Sequence, residues 1–469
     1  MHRRDLLCAG LVSALSLPLQ ARSDSSAGQW DVLVVGAGGA GLAAAVSALE
    51  SGAKRVAVLE KMPMLGGHTI ISTGSYSIPV SLAPEDDPFE QMAQEIVESG
   101  GNEALARKLA SESMAGMQWL AGMGVNWEPR RFRAGGSQAT RNISTGSARG
   151  GYDYIQALNR RAKRLGAVIF FSTRATDLVL DAGRVIGVDA ETKDGRTKRF
   201  LARAVVLATG GFGANIALRM RYIPWLDATF KTTADPFSLL GDCATGDGIE
   251  LGERAGAKLV DMDAMQLIPF NGGRVLDFVG GELWVNSRGV RFVDEGASFE
   301  TIRLAMGEQP GRMMWAITDA KSKKNASLGP KMAAGIVRTA DSIEKLAEGT
   351  GIPSVVLRET LSRYNRFAQA GKDDDFGKTV FTQTVDTPPF YYGVEKLAVH
   401  MTSGGLAIDD SARVLDQNNR PIPGLWAAGE TTGGLHGRNR LGGNALTDTF
   451  VFGRIAGREA AQSVSHKIQ

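Results

Sequence analysis

The sequence predicts an α/β fold organised around a parallel sheet. The first observation is the order of an apolar run, a glycine turn, an Ala-rich segment and a second apolar run over residues 31–61. The second is the return of two further apolar runs, at 203–209 and 422–430, each ending in or leading into a glycine turn. Short β-branched runs bounded by glycine are typical of buried parallel strands. We therefore expect a Rossmann-like domain built on these runs.

Gly36, Gly38 and Gly41 form a G-x-G-x-x-G pattern directly after the first apolar run. The first glycine of such a pattern permits the tight turn, the second lets a pyrophosphate approach the backbone, and the third lets the helix pack closely on the strand. The next apolar run ends at Glu60, whose carboxylate can accept hydrogen bonds from an adenosine ribose. The arrangement predicts a dinucleotide site, and the acid disfavours the 2′-phosphate of NADP.

The composition limits the partners of the chain. It has 469 residues, a formal net charge of +3 and 22% charged residues. This length predicts two domains, and so small a charge argues against nucleic acid and a membrane surface as partners. Cys8 and Cys243 provide no ligand set for a covalent haem or an iron–sulfur cluster. If the chain carries out a redox reaction, its electrons would therefore come from an external carrier, such as a periplasmic cytochrome c or a quinone-linked protein.

Residues 1–28 have the pattern of a signal peptide. Arg3 and Arg4 precede an apolar run at 6–19, which is too short and too weakly apolar for a transmembrane helix. The R-R-x-L-L start is typical of a twin-arginine signal and predicts a periplasmic protein. A Sec signal and a retained N-terminal tail are the alternatives.

The rest of the chain predicts a nucleotide-binding domain interrupted by an insert. The run at 203–209 leads into Ala-Thr-Gly-Gly, a second nucleotide-binding signature. Nucleotide motifs then stop until the run at 422–430. We therefore assign 29–262 and 402–469 to the nucleotide-binding domain and 263–401 to an α+β clamp (capping) domain. Within the insert we predict strands at 283–285, 291–293 and 313–318 and helices at 341–347 and 355–370.

Seven segments carry a family resemblance: GAGGAG, LEK, GGHT, VVLATGG, ATGDG, AAGETTGG and GRNRLGGNA. Together they resemble the soluble fumarate reductase and flavocytochrome c family, to which the urocanate reductases and 3-ketosteroid dehydrogenases are related. The resemblance runs from Trp30 to the C-terminus. It implies a bound FAD, a clamp domain near it, and hydride exchange between flavin N5 and a C–C bond beside an activating group.

The glycine pattern and the resemblance together imply a set of cofactor residues. His68 stands where membrane-bound succinate dehydrogenases and fumarate reductases carry the histidine bonded to FAD. A covalent link there is one interpretation, and a hydrogen bond to a non-covalently bound flavin is the favoured one. The helix predicted at 447–463 would point its positive end at the reduced flavin. The implied residues are Gly36, Gly38, Ala40, Gly41, Glu60, Lys61, Gly67, His68, Thr69, Thr73, Gly74, Ala175, Thr209, Gly210, Asp247, Thr402, Glu430, Asn444, Ala445 and Leu446.

By the same resemblance Arg440 matches the arginine that binds the substrate carboxylate, and a planar bidentate cation suits that role. Phe299 replaces the family's proton-donating arginine, and Ile268 replaces a clamp-domain histidine. These apolar replacements would leave a second buried carboxylate unpaired, which is costly. We therefore expect a monocarboxylate or carbonyl substrate rather than fumarate or succinate. The candidate proton donors or acceptors are Glu300, Arg303, Arg274 and His400.

The sequence is compatible with three functions. The leading one is an exported FAD oxidoreductase that reduces an enoate or dehydrogenates its saturated partner. A 3-ketosteroid-dehydrogenase-like enzyme on an apolar ketone is favoured by the apolar replacements and disfavoured by Arg440. A flavin-carrying electron-transfer subunit without its own substrate is favoured by the missing proton donor.

Overall fold

The computed structural model describes residues 29–80, 83, 87–134, 136–147, 149–235, 241–270, 280–322 and 328–465. The predicted leader at 1–28 and the candidate Arg274 lie outside these residues. The strands are β1 (Trp30–Val35), β2 (Val56–Leu59), β3 (Tyr76–Ser77), β4 (Asn142–Ile143), β5 (Val168–Phe170), β6 (Arg174–Asp181), β7 (Arg184–Glu191), β8 (Thr197–Leu207), β9 (Leu259–Val260), β10 (Met265–Pro269), β11 (Leu283–Val285), β12 (Met313–Thr318), β13 (Arg338–Ala340), β14 (Phe390–Thr402), β15 (Gly405–Ala407), β16 (Arg413–Leu415), β17 (Pro421–Ala427) and β18 (Thr432–Gly433). The helices are α1 (Gly39–Glu50), α2 (Pro88–Glu98), α3 (Glu103–Gly122), α4 (Gly151–Leu165), α5 (Ile216–Tyr222), α6 (Asp247–Arg254), α7 (Phe299–Gly307), α8 (Leu328–Ala333), α9 (Ile343–Thr350), α10 (Ser354–Ala370) and α11 (Asn444–Ser465).

The larger sheet has the strand order β16–β17–β8–β1–β2–β5, and β7 pairs with both β8 and β6. β17, β8, β1, β2 and β5 run parallel to one another. The central strand β1 is buried over residues 32–35, which is why these residues form a continuous apolar run rather than an alternating one. The predicted α/β fold with a parallel sheet is confirmed.

Helices α1 and α11 lie in close contact beside this sheet. A Cβ on Gly453 of α11 would lie 2.8 Å from the Ala40 carbonyl oxygen, and one on Gly457 would lie 2.1 Å from the Ala44 carbonyl oxygen. Glycine at these two positions therefore sets the distance between the helices. This packing brings the first turns of α11 to the glycine turn that follows β1.

A second sheet has the order β10–β14–β12–β11, with β13 also paired to β14, and its pairings are antiparallel. Its strands fall between residues 265 and 402, and α9 and α10 cover it through buried Leu346, Leu357 and Tyr364. The long strand β14 pairs at its carboxyl end with β10. The domain limits proposed from the sequence stay a prediction.

Two differences from the predicted elements have physical reasons. The predicted strand at 291–293 is wrong, because Arg291 lies in a loop where Glu295 binds its guanidinium through two contacts of 2.9 Å and Asp373 binds it through a third. Strand β14 was not predicted, because glycine and charged residues interrupt its apolar pattern. Among the described helices, none has the length and apolarity needed to cross a membrane.

Candidate active site

A cavity of about 960 Å³ opens at the carboxyl end of the parallel strands. Val35 ends β1, Leu59 ends β2, and Ala208 and Ala428 directly follow β8 and β17; all four line this cavity. The carboxyl edge of an open parallel sheet is where such folds bind ligands. The cavity is therefore the candidate site for a cofactor and a substrate.

The glycine turn after β1 is closed so tightly that side chains would not fit. Gly36 has φ +104°, and a Cβ there would lie 2.3 Å from the Ala208 carbonyl oxygen. A Cβ on Gly41 would lie 1.8 Å from the Gly36 carbonyl oxygen. Gly38 and Gly39 line the cavity at the N-terminus of α1. This leaves backbone N–H groups at a helix N-terminus facing the cavity, a favourable place for a pyrophosphate.

Glu60 connects this turn to the segment that follows β2. Its carboxylate accepts hydrogen bonds from the backbone N–H of Ala37 at 2.7 Å and of Met62 at 2.8 Å. Burial raises the pKa of Glu60, and the two backbone donors act in the opposite direction. The side chain lines the cavity, which agrees with its predicted place beside a ribose.

A charged cluster lies near Glu60. The Lys61 ammonium donates to Asp247 at 3.0 Å and to Thr245 at 2.5 Å, and Arg174 donates to the other Asp247 oxygen at 3.0 Å. Burial alone would raise the pKa of Asp247, but the two cations lower it below its usual value. Both cations therefore share one carboxylate, and the three side chains together keep one positive charge.

His68 is the centre of a second polar cluster. Its Nε2 lies 2.6 Å from Asp242 Oδ1, and its Nδ1 lies 3.8 Å from Glu430 Oε2. Burial opposes protonation, but the contacts with Asp242, Cys243 and Glu430 outweigh it and raise the pKa of His68 well above 6.5. Burial would also raise the pKa of Asp242, but His68 holds it at about 2. Asp242 has no signal in the local sequence, because its partner lies 174 residues away in the chain.

Arg440 is a buried cation on the cavity wall. It is 6% exposed, its Nη1 donates to the Leu441 carbonyl at 3.3 Å, and its guanidinium lies 5.8 Å from the centre of the Phe299 ring. Among the described residues Arg440 has no carboxylate partner, and its Nε has no hydrogen-bond acceptor. Burial lowers the pKa of Arg440 to about 10, with Glu430 acting in the opposite direction. Such a group can bind an anionic ligand with little competition.

The candidate proton-transfer residues separate in the structure. His400 lines the cavity, and its Nδ1 lies 2.9 Å from the Thr233 hydroxyl. Glu300 and Arg303 are absent from the described cavity lining; they bind each other at 2.7 Å, and Arg303 stacks 5.6 Å from Trp225. Of the three candidates that the structure describes, His400 alone lines the cavity.

Four of the predicted cofactor residues support the cavity without lining it. Gly41 packs beneath the glycine turn, Gly74 packs against Gly150, and Thr402 donates its backbone N–H to Glu430 at 2.9 Å. Asn444 is buried at the start of α11. The other predicted cofactor residues line the cavity: Gly36, Gly38, Ala40, Glu60, Lys61, Gly67, His68, Thr69, Thr73, Ala175, Thr209, Gly210, Asp247, Glu430, Ala445 and Leu446.

These residues fit an FAD. The glycines leave room for a pyrophosphate at α1, and Glu60 lies where an adenosine ribose would follow. At the other end Ala445 and Leu446 line the cavity from the first turn of α11, where backbone N–H groups have no partner within the helix. The cavity thus offers the N-terminus of α1 for the central pyrophosphate and that of α11 for another part of the cofactor.

Comparison with curated proteins places the chain among flavoprotein reductases. The chain is 36% identical over 460 residues to the urocanate reductase of Eggerthella lenta, covering 92% of this chain and 74% of that protein. It is 33% identical over 513 residues to the NADH:acrylate oxidoreductase of Vibrio harveyi, covering 92% of this chain and 50% of that protein.

Solved structures and a family model agree with this placement. The open conformation of a flavocytochrome c3 fumarate reductase matches with a TM-score of 0.73 and 33% identity, over 93% of this chain and 78% of that one. A 3-ketosteroid-delta4-(5alpha)-dehydrogenase from Rhodococcus jostii RHA1 matches with a TM-score of 0.68 and 26% identity, over 94% and 99% of the two chains. The family model described as FAD binding domain matches residues 31–446. The chain therefore belongs to the FAD binding domain family, and it is an FAD-dependent oxidoreductase of the fumarate reductase type.

Proposed function

We propose that this enzyme exchanges a hydride between flavin N5 and a C=C or CH–CH bond next to a single carboxylate. It is thus an enoate reductase, or the dehydrogenase of the reverse direction, and fumarate is not its substrate. The observation that carries the proposal is the buried guanidinium of Arg440, which faces the cavity without a carboxylate partner among the described residues.

The surroundings of Arg440 support a substrate with one charged end. The aromatic ring of Phe299 packs against the guanidinium. Phe270 and Met401 line the cavity, and Ile268 is buried nearby in β10. A second carboxylate placed against these apolar side chains would lose its hydration without gaining a partner from them. Urocanate and acrylate, which appear in the names of two relatives, are both 2-enoates with a single carboxylate.

The residues of this chain have distinct parts in the reaction. FAD, when bound, supplies the hydride donor or acceptor. Arg440 orients the carboxylate through paired hydrogen bonds and draws electron density from the conjugated C=C, which favours attack at the β carbon. The first turn of α11, at Ala445 and Leu446, presents a positive helix end to negative charge in the cavity.

The contacts of His68 support a non-covalent attachment of FAD. Its Nε2 is held by Asp242 at 2.6 Å, so this nitrogen is engaged as a hydrogen-bonding group. We therefore favour non-covalent FAD with His68 beside it. A denaturing gel that shows no flavin fluorescence in the protein band is the expected result, and a fluorescent band would assign a covalent link.

Export and an external electron carrier complete the proposal. They are supported by the paired Arg3 and Arg4 before an apolar run and by the lack of haem or cluster ligand sets in the sequence. A periplasmic cytochrome c is the carrier that fits this compartment. Cell fractionation is the direct measurement of location.

The test is a dye-linked assay of the FAD-loaded protein with 2-enoates, enones and fumarate and with reduced viologen as donor. We expect turnover of monocarboxylic enoates but not of fumarate. Arg440→Gln should lower enoate turnover at least about 100-fold while FAD stays bound, since a charged hydrogen-bond pair is lost. Arg438→Gln is the matched control, because that arginine is 67% exposed and pairs with Asp263.

A steroid or ketone substrate is the second candidate, favoured by the apolar residues around Arg440 and by the 3-ketosteroid dehydrogenase among the structural neighbours. If Arg440→Gln leaves the turnover of enones unchanged, the result supports a steroid or ketone substrate. Turnover of none of these compounds would favour an electron-transfer subunit.

A further inference from the structure

Lys331 is a buried lysine on the cavity wall that the predicted chemistry does not use. It is 5% exposed and lines the same cavity as Arg440 and His400. Lysine is among the residues least often fully buried, because its ammonium loses hydration there. A lysine on the wall of a ligand cavity can transfer a proton to a bound ligand.

The backbone around Lys331 is fixed by the second sheet. Its carbonyl oxygen accepts hydrogen bonds from the backbone N–H of Ile336 at 2.9 Å and of Val337 at 3.3 Å. These residues lead directly into β13, which pairs with β14. β14 in turn carries His400 and Met401 to the cavity. Lys331 is thus connected to the second sheet, whereas Arg440 lies in the loop before α11.

Reduction of an enoate requires a proton donor as well as a hydride. The hydride forms a bond with the β carbon, and a proton must reach the carbon next to the carboxylate. Phe299, whose ring packs against Arg440, has no proton to give. Glu300 and Arg303 bind each other and are absent from the described cavity lining. Arg440 is assigned to the carboxylate.

We propose that Lys331 is the proton-transfer residue of this reaction, an inference that rests on the proposed enoate chemistry. During reduction the C=C π bond breaks, the hydride from reduced flavin forms the C–H bond at the β carbon, and a Lys331 N–H bond breaks as its proton forms the C–H bond at the α carbon. The substrate gains two electrons, the flavin loses two, and the neutral amine takes a proton from water. In dehydrogenation the amine removes the α proton. The flexible four-carbon stem and the readily tuned ammonium of lysine suit both directions.

His400 is the competing donor, because it lines the same cavity. The Thr233 hydroxyl contacts its Nδ1 at 2.9 Å, and the Thr233 N–H donates to Val399 at 2.9 Å. These two contacts connect His400 and β14 to the segment at Thr233. We assign it a positioning role, which His400→Gln tests alongside the lysine variants.

The experiment follows anaerobic reoxidation of reduced, FAD-loaded enzyme by an enoate that the wild type turns over. Lys331→Met should slow reoxidation roughly 100-fold or more, as removal of a general acid does, while FAD content and the dissociation constant of the saturated acid stay within about 3-fold of wild type. Added small primary amines should restore part of the rate. Lys345→Met is the control, because Lys345 is 61% exposed in α9 and pairs with Asp341.

Each other outcome counts against the proposal. Reoxidation of Lys331→Met within about 3-fold of wild type overturns it while leaving the proposed function intact. Slow reoxidation with weakened binding of the saturated acid and no amine rescue assigns Lys331 to binding or folding and also overturns it. A large loss in His400→Gln with an active Lys331→Met moves the donor to His400. A wild-type enzyme that turns over no enoate removes the proposed function and this inference together.

Discussion

At the scale of the residue, Lys61, Arg174 and Arg440 on the cavity wall differ in whether they form an ion pair with a carboxylate. Lys61 and Arg174 both bind Asp247. Arg440 contacts a backbone carbonyl and an aromatic ring, and burial lowers its pKa to about 10. A buried charge without a carboxylate partner is costly. A bound anion would therefore stabilise Arg440 more than it would stabilise Lys61 and Arg174, which already bind Asp247. The carboxylate of the proposed substrate would be such an anion.

Glu60→Gln tests the cofactor end of the cavity. The carboxylate holds the N–H groups of Ala37 and Met62 with its two oxygens, and an amide keeps only one acceptor oxygen. A charge-assisted hydrogen bond contributes about 1.5–3 kcal/mol, so we expect FAD to bind roughly 10–100-fold more weakly. Fluorescence titration of the apoprotein with FAD measures this. Glu98→Gln, on the exposed face of α2, is the control, and equal affinity in both variants would contradict the assigned role.

Some site residues could be predicted from the sequence and others could not. Gly36, Gly41 and Glu60 follow one another at the short spacings that a strand–turn–helix unit requires. The local sequence pattern is therefore enough to predict them. Asp242 meets His68 across 174 residues, and Lys331 reaches the cavity through the pairing of β13 with β14. Neither contact has a local signature, because each is made by tertiary packing.

At the scale of the element, the helices were easier to predict than the strands of the insert. α3 begins at Asn102, whose side chain accepts from the Leu105 N–H at 3.2 Å, and such a cap can be recognised locally. β14 has no such signal, because its burial comes from three neighbouring strands and overrides its mixed composition.

Gly457→Ala tests the contact between α1 and α11. Alanine favours a helix by up to about 1 kcal/mol over glycine, but here its Cβ would lie 2.1 Å from the Ala44 carbonyl oxygen. Overpacking typically costs about 1–3 kcal/mol, so we expect a lower thermal midpoint and weaker FAD binding. Gly122→Ala in α3 is the matched control, because a Cβ there meets nothing within 4 Å. Its midpoint should be unchanged or higher; a similar fall in both variants would contradict the packing argument.

At the scale of the whole molecule, two sheets of different type contribute to one cavity. The parallel sheet brings the glycine turn and Glu60, and the second sheet brings His400 and Met401. The parallel unit could be predicted because its motifs are contiguous. The arrangement of the second sheet could not, since it depends on antiparallel pairings between segments more than 100 residues apart, such as β10 with β14.

A cluster of buried ionic side chains beside the second sheet should determine how stable the fold is in acid. Glu295 contacts Arg291 at 2.9 Å and Lys378 at 2.8 Å, and all three side chains are almost fully buried. Burial would raise the pKa of Glu295, but the two cations outweigh it and lower the pKa below its usual value. A carboxylate with a lowered folded-state pKa stabilises the fold above its unfolded pKa of about 4.3, and this contribution is lost as the pH falls through the folded-state value.

Glu295→Gln should therefore destabilise the protein at pH 7 by about 3–5 kcal/mol, because it removes the carboxylate that Lys378 binds and leaves Arg291 with Asp373 alone. The difference from wild type should shrink as the pH falls below about 4.3, since the wild-type carboxyl then takes up a proton and its own ion pairs weaken. Urea unfolding at a series of pH values from 7 down to 3 measures both effects. Glu348→Gln, on an exposed position of α9, should follow the wild type at every pH. A constant difference between Glu295→Gln and wild type across the series would show that the ionisation of Glu295 does not govern acid stability.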